Sequence, residues 1–191
     1  MTTARLEAFS DGVIAILITI MVLELRAPHD ATLEALKPLW PVFLSYVLSY
    51  VFLGIYWTNH HHLLHAAKYV NGRILWANLH LLFWLSLIPF TTAWMGVNHF
   101  TGWSIALYGV VLLFAAIAYF ILVRALLSLH GSESFLATAL GSDFKGKISI
   151  VFNLIAIALA FVNNWLAFSI YVLVAVMWLV PDRRIERRLT E

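Results

Sequence analysis

The chain has 191 residues, of which 62% are hydrophobic and 12% charged, and its mean hydropathy is +0.88. Such values lie far from those of soluble domains and are typical of a polytopic membrane protein. The absence of cysteine excludes a disulfide framework and a thiolate metal site. The pI of about 9.0 indicates membrane topology and attraction to lipid headgroups rather than nucleic-acid binding, although the "RRIERR" tail taken alone fits either.

Six stretches are long and apolar enough to cross the hydrocarbon core, which takes roughly 20 apolar residues. We predict membrane spans at residues 8–25, 38–58, 75–96, 104–128, 147–163 and 165–181. The last two are separated only by Asn163 and Asn164, which predicts a helical hairpin. Residues 1–191 are therefore predicted to form one all-α transmembrane domain.

The positive residues orient these spans. If the N-terminus is inside, the following ten lie on the cytoplasmic side: Arg5, Lys68, Arg73, Arg124, Lys145, Lys147, Arg183, Arg184, Arg187 and Arg188. Only Arg26 and Lys37 then lie outside, as the positive-inside rule requires. Both termini are thus predicted to be cytoplasmic, and the Arg183–Arg188 tail to contact anionic lipid headgroups.

The first span carries polar residues into an apolar helix. On a wheel of ~100° per residue, Asp11 faces away from a stripe formed by Ile16, Ile20 and Leu23. An ionisable group within a membrane indicates a functional site when a partner can be named. The polar groups expected at the depth of Asp11 are Asn59, His60, His61, His62, Asn78 and His80. An alternative interpretation is that Ser10 and Asp11 merely cap the helix.

A histidine cluster, "NHHHLLH", follows the second span. His61 and His65 are one helical turn apart, a spacing that can bind a transition metal. Two histidines supply only half of a tetrahedral site, and the link contains no Asp, Glu or Cys. Interhelical hydrogen bonds are therefore favoured over a metal site, and no cofactor is expected.

Signatures of enzymes and of ordinary potassium channels are missing from the sequence. It contains no H-E-x-x-H, G-x-S-x-G or Walker motif, and no "TVGYG" selectivity filter. The spans also lack paired carboxylates suited to acid–base chemistry. The chain is not expected to be an enzyme.

Several short motifs lie at the starts and within the interiors of the predicted spans. Arg5, Phe9, Ser10 and Asp11 form R-x-x-x-F-S-D at the start of the first span. Residues 57–60 form W-x-x-H, and residues 78–92 contain N-L-H and P-F-T-T. Together these motifs resemble the transmembrane protein 175 family of potassium channels. The resemblance covers essentially the whole chain and implies a bacterial form with a single six-span unit.

This resemblance implies a leak-type cation channel without a P-loop filter, in the plasma membrane of a bacterium. The first helices of a homotetramer would surround a pore for K⁺. The resemblance does not decide whether other monovalent cations or protons also permeate. Ile16, Ile20 and Leu23 would form its hydrophobic constriction, with Thr19 nearby. By the same resemblance, Arg5, Ser10 and Asp11 would join an interhelical network, with His60 and Asn78 as partners.

The alternative hypothesis is a proton- or metal-coupled transporter that uses Asp11 and the His60–His65 cluster. Such carriers usually have inverted repeats and helices broken near the membrane midplane. Pro38 and Pro41 lie at the start of the second predicted span, and only Pro89 lies in the interior of one. The channel hypothesis is favoured on these grounds.

Overall fold

The computed structural model describes residues 3–131 and 144–179, and these residues form helices and connecting turns without strands. The helices are α1 (Thr3–Leu23), α2 (Leu33–Leu36), α3 (Trp40–His65), α4 (Gly72–Ser86), α5 (Ile88–Val97), α6 (Gly102–His130), α7 (Phe144–Leu159) and α8 (Asn164–Leu179). A 3₁₀ turn, Lys37–Leu39, joins α2 to α3. Leu33–His65 and Gly72–Val97 are each one continuous helical segment, so the described residues form six segments. The predicted all-α class with six helical segments is thereby confirmed.

Polar side chains cap the N-termini of several of these helices. Thr32 Oγ1 accepts a hydrogen bond from the Ala35 amide at 3.3 Å, and Asn71 Oδ1 accepts one from the Ile74 amide at 3.0 Å. Each bond satisfies an amide that has no partner within its helix. In the α7–α8 hairpin, Asn163 Oδ1 accepts from the amides of Trp165 and Leu166.

Three boundaries differ from the predicted spans. Helix α1 begins at Thr3, so Ser10 and Asp11 lie in its interior and the interpretation as a helix cap is wrong. Helix α3 continues to His65 and includes the histidine cluster that was predicted as a link. The third span is divided at Leu87 into α4 and α5, because Pro89 has no amide hydrogen to continue the ladder.

Four helical segments are long and apolar enough to cross a membrane: Thr3–Leu23, Leu33–His65, Gly72–Val97 and Gly102–His130. Helices α7 and α8 have 16 residues each, and α8 is a shorter apolar helix. At 1.5 Å per residue, each reaches ~24 Å of the ~30 Å core. The Arg183–Arg188 tail lies outside the described residues.

Helix α6 lies at the centre of the bundle, where it packs against α4, α5, α7 and α8. Its Tyr108, Ala115, Ala118 and Leu122 are fully buried. Helix α1 lies at the edge and packs against α3, α4 and α5. One side of α1 is therefore covered by its own subunit, and the other is not.

Candidate functional site

Helix α1 has two apolar faces with different surroundings. Leu6, Ser10, Ile14, Leu17 and Met21 are buried against the bundle. The opposite face includes Ile16, Ile20 and Leu23, whose exposed fractions are 58%, 43% and 74%. Phe9 and Thr19 are exposed as well, and the Thr19 hydroxyl donates to the Ala15 carbonyl. The stripe predicted from the wheel is thus uncovered in one subunit.

A buried chain of hydrogen bonds joins the other face of α1 to α3 and α4. Asn78 Nδ2 donates to Ser10 Oγ at 2.9 Å, and Ser10 Oγ donates to the Leu6 carbonyl at 2.8 Å. His60 Nε2 lies 2.6 Å from Asn78 Oδ1. Ser10, His60 and Asn78 are all fully buried. Three of the residues predicted for the interhelical network therefore contact one another.

The donors and acceptors fix the direction of this chain. An amide oxygen can only accept, so His60 must carry its hydrogen on Nε2. In the neutral ring, Nδ1 is then an acceptor, and it has no partner among the described residues. His60 is thus held by one directional bond rather than by a charge pair.

Asp11 has a different partner from those expected. Trp57 Nε1 donates to Asp11 Oδ1 at 3.0 Å. One helical turn away, His61 Nδ1 lies 2.7 Å from Glu7 Oε1. Helices α1 and α3 are thus bridged by two contacts at matching i, i+4 positions. The expectation that an Asn or His side chain would satisfy Asp11 was wrong.

The sequence carries a signal for this pair of contacts. Glu7 and Asp11 are four residues apart on α1, and Trp57 and His61 are four apart on α3, so each pair occupies one helix face. The indole is a polar donor on an apolar ring, which suits it to a helix surface. The other candidates bond elsewhere: Asn59 donates to the Ile55 carbonyl, and His80 accepts from Trp84.

Arg5 is exposed, and no hydrogen bond or ion pair joins it to another residue in the part of the chain that the structure describes. It lies 11 residues, or about three turns, before Ile16 on α1. Arg5 therefore shares the uncovered face of the helix. Within one subunit it does not contact Ser10, Asp11, His60 or Asn78.

The histidine cluster is divided between two environments. His60 points into the bundle towards Asn78, whereas His61 contacts Glu7 and stacks on His65 with ring centroids 5.9 Å apart. Across residues 3–131 and 144–179, no three His, Cys, Asp or Glu side chains are grouped so that they could hold a metal ion. This arrangement does not favour the coupled-transporter alternative.

Comparisons with known proteins find several that are similar to this chain. The family model described as endosomal/lysosomal potassium channel TMEM175 matches residues 5–89, which include most of α1 and all of α3 and α4. A potassium channel of Chryseobacterium sp. (strain P1-3) is 52% identical over 191 residues, which cover 100% of both chains. A potassium channel of Streptomyces collinus is 31% identical over 125 residues, 61% of each chain.

A solved structure matches the fold. The crystal structure of a lysosomal potassium-selective channel TMEM175 homolog from Chamaesiphon minutus aligns with a TM-score of 0.79 and 27% sequence identity. The match covers 93% of this chain and 96% of that one. Since the Chryseobacterium relative is similar over its full length, this multi-pass membrane protein belongs to the TMEM175 potassium-channel family.

Proposed function

We propose that the chain forms a potassium-permeable, leak-type cation channel in which the uncovered face of α1 lines the pore. The relatives that carry the name potassium channel support K⁺ as the permeating ion. The family is one of potassium channels, so the chain is not an enzyme. The uncovered apolar stripe of Ile16, Ile20 and Leu23 is the observation that supports the path. In this proposal the cell membrane is that of a bacterium, and both termini are cytoplasmic.

A single subunit has α1 at its edge, so a closed path around this helix needs several copies. We propose a homotetramer in which four α1 helices surround the axis. In each helix the buried face would point towards its own bundle, and the stripe of Ile16, Ile20 and Leu23 would point towards the axis. Arg5, on the same uncovered face, would then contact a neighbouring copy.

The proposed constriction runs from Ile16 to Leu23. The seven steps from Ile16 to Leu23, at a rise of ~1.5 Å each, give an apolar passage ~10 Å long. A narrow apolar tube does not hold water or a hydrated ion well, so rings of these side chains gate by dewetting. The preference for K⁺ over Na⁺ would be modest, because it reflects the lower dehydration cost of the larger ion.

The buried contacts have a supporting role in this proposal. The Ser10–Asn78–His60 chain and the Asp11–Trp57 bond hold α1 on its own bundle, so that its other face keeps a fixed direction. Ions would not bind at Asp11, whose carboxylate is already hydrogen-bonded to α3. Outside the pore, the Arg183–Arg188 tail would contact anionic headgroups.

The test is cation flux into liposomes that contain the purified protein. Ile16→Asn would hydrate the constriction, so K⁺ flux should rise and the K⁺/Na⁺ preference should fall. Ile155→Asn is the matched control, because Ile155 is exposed to 44% on α7 and not on α1. If Ile16→Asn left flux and ion preference as in the native protein, the pore would lie elsewhere.

A further inference from the structure

The P-F-T-T motif, residues 89–92, lies at the break between α4 and α5. Pro89 has no amide hydrogen, so the backbone ladder that would hold α5 in line with α4 lacks a bond there. A helical segment can bend at such a point. The direction of α5 therefore depends on its contacts with the other helices.

Two contacts, one helical turn apart, join α5 to α3. Thr92 Oγ1 donates to Ser49 Oγ at 2.6 Å. One turn further along α5, a Cβ atom placed on Gly96 would lie 2.7 Å from Ser45 Oγ and from Val42 Cα, so the two helices approach closely there. Helix α5 is thereby fixed against the first half of α3.

The Ser49 hydroxyl continues this contact to α6. Ser49 Oγ lies 3.0 Å from the Tyr108 hydroxyl. Thr92, Ser49 and Tyr108 are at most 4% exposed. Buried hydroxyl groups that lose a partner have no water to replace it, so such bonds are unfavourable to break. The three hydroxyls therefore tie α5, through α3, to the helix at the centre of the bundle.

Helix α5 is also a surface against which α1 packs. Helices α1 and α4 run in the same direction, since each runs opposite to α3. They meet where Asn78 donates to Ser10, and α5 begins ten residues, or ~15 Å, after Asn78. The contacts with α5 therefore fall on the later part of α1, which carries Ile16, Ile20 and Leu23.

We propose that Ser49 and Thr92 are positioning residues of the conduction path. Their hydrogen bond fixes the direction of α5 beyond the break, and α5 supports the part of α1 that carries the Ile16 stripe. The Asn78 contacts hold the first part of α1, so the two parts of this helix have separate supports. This inference rests on the pore proposed on α1 and adds the residues that set its width.

The experiment measures K⁺ flux and the K⁺/Na⁺ preference of the full-length protein in liposomes. Thr92→Val keeps the shape of the side chain and deletes the bond to α3, while Ser49 keeps Tyr108 as its partner. Once α5 is released, the Ile16 rings can move apart, so the preference should fall. Flux should rise roughly fivefold, which is the effect of one neutral hydrogen bond on an equilibrium between two positions. Thr92→Ser, which keeps the hydroxyl, should conduct as the native protein does.

Thr91→Val is the matched control. Thr91 is a buried threonine of the same helix, but among the described residues its hydroxyl bonds to the Leu87 and Ile88 carbonyls of its own segment. Its loss removes a hydroxyl without releasing α5 from α3, so flux and preference should stay native. An equal change in Thr91→Val and Thr92→Val would overturn the proposal, because it would show a general effect of a lost hydroxyl.

Two further variants complete the test. Ser49→Ala deletes the same bond from the side of α3 and decides the matter if Thr92→Val does not assemble. Ile16→Asn is recorded in the same liposomes. If Ile16→Asn raises flux while Thr92→Val and Ser49→Ala conduct as the native protein does, the positioning role is wrong and the pore on α1 stands. If Ile16→Asn is silent, the pore proposal fails and this inference fails with it.

Discussion

His60 Nε2 and Asn78 Oδ1 lie 2.6 Å apart in the interior of the bundle, where they join α3 to α4. The same Asn78 amide donates to Ser10 of α1. The Asn78 side chain therefore connects three helices. Its amide cannot flip, because exchanging Oδ1 and Nδ2 would break both bonds. The orientation of α1, and with it the direction of its uncovered face, depends on Asn78.

Asn78→Leu should lower the free energy of unfolding by about 2 kcal/mol, because Ser10 and His60 both lose a buried partner. Ser10→Ala should lower the free energy of unfolding by about 1 kcal/mol. It removes the Ser10 hydroxyl and with it the hydrogen bonds to Asn78 and to the Leu6 carbonyl. Titration with a denaturing detergent measures both values.

The double variant tests whether these residues act as one network. Ser10→Ala combined with Asn78→Leu should cost less than the sum of the single variants, because they share a bond. Strict additivity would show that the bond between them contributes nothing.

Asp11 accepts from an indole, so its role on α1 should depend on the oxygen atom rather than on the charge. Asp11→Asn keeps an acceptor and should retain the stability of the native protein. Asp11→Ala should lower it by about 1 kcal/mol and weaken assembly or gating, since Trp57 loses its acceptor. Trp57→Phe should reproduce the effect of Asp11→Ala. A native-like tetramer and native currents in Asp11→Ala would remove Asp11 from the supporting contacts.

Gly109 allows α6 and α8 to approach each other. A Cβ atom placed there would overlap the Tyr171 hydroxyl and lie 2.8 Å from Ile157 Cγ1. Gly109→Ala should therefore destabilise the subunit by about 1–3 kcal/mol through overpacking. Tyr171→Phe removes the overlapping oxygen, so the double variant should recover part of the loss. Absence of any recovery would place the strain at Ile157 Cγ1 or at the ring carbon Cζ of residue 171, each 2.8 Å from the added Cβ. Thermal unfolding in detergent distinguishes the two.

Arg5 has no bonding partner within the described subunit, and in the proposed tetramer it contacts a neighbouring copy. Arg5→Ala should lower the tetrameric fraction measured by mass in detergent while the stability of the separated subunit is unchanged. Arg124→Ala, at an exposed position on α6, is the control and should leave the fraction as it is. Equal loss in both variants would point to a general effect of charge.

Much of this arrangement could be read from the sequence, for physical reasons. The six apolar stretches reflect the thickness of the bilayer, and the i, i+4, i+7 spacing of Ile16, Ile20 and Leu23 fixes one face of α1. Which apolar face is covered by the subunit could not be read in the same way. Both faces of α1 are rich in Ile and Leu, so the family signature was needed to choose between them.

Other features depended on tertiary contacts that the sequence does not encode locally. Trp57 was missed as the partner of Asp11 because the choice between an indole and several imidazoles depends on how α1 and α3 are rotated. The break at Leu87 follows from Pro89, whose missing amide hydrogen divides the predicted third span into two helices.

The most direct test of the pore is thiol accessibility along α1. The sequence contains no cysteine, so any thiol that reacts is an introduced one. Single cysteines are placed on the uncovered face (Ile16→Cys, Ile20→Cys, Leu23→Cys) and on the covered face (Ile14→Cys, Leu17→Cys). K⁺ current is then recorded in bilayers before and after Ag⁺, a monovalent cation that binds thiolates. Block of the first three variants, with the covered-face variants and the native protein unaffected, is the result expected if the Ile16 stripe lines the pore. Block of the covered-face variants alone, or of none, would contradict it.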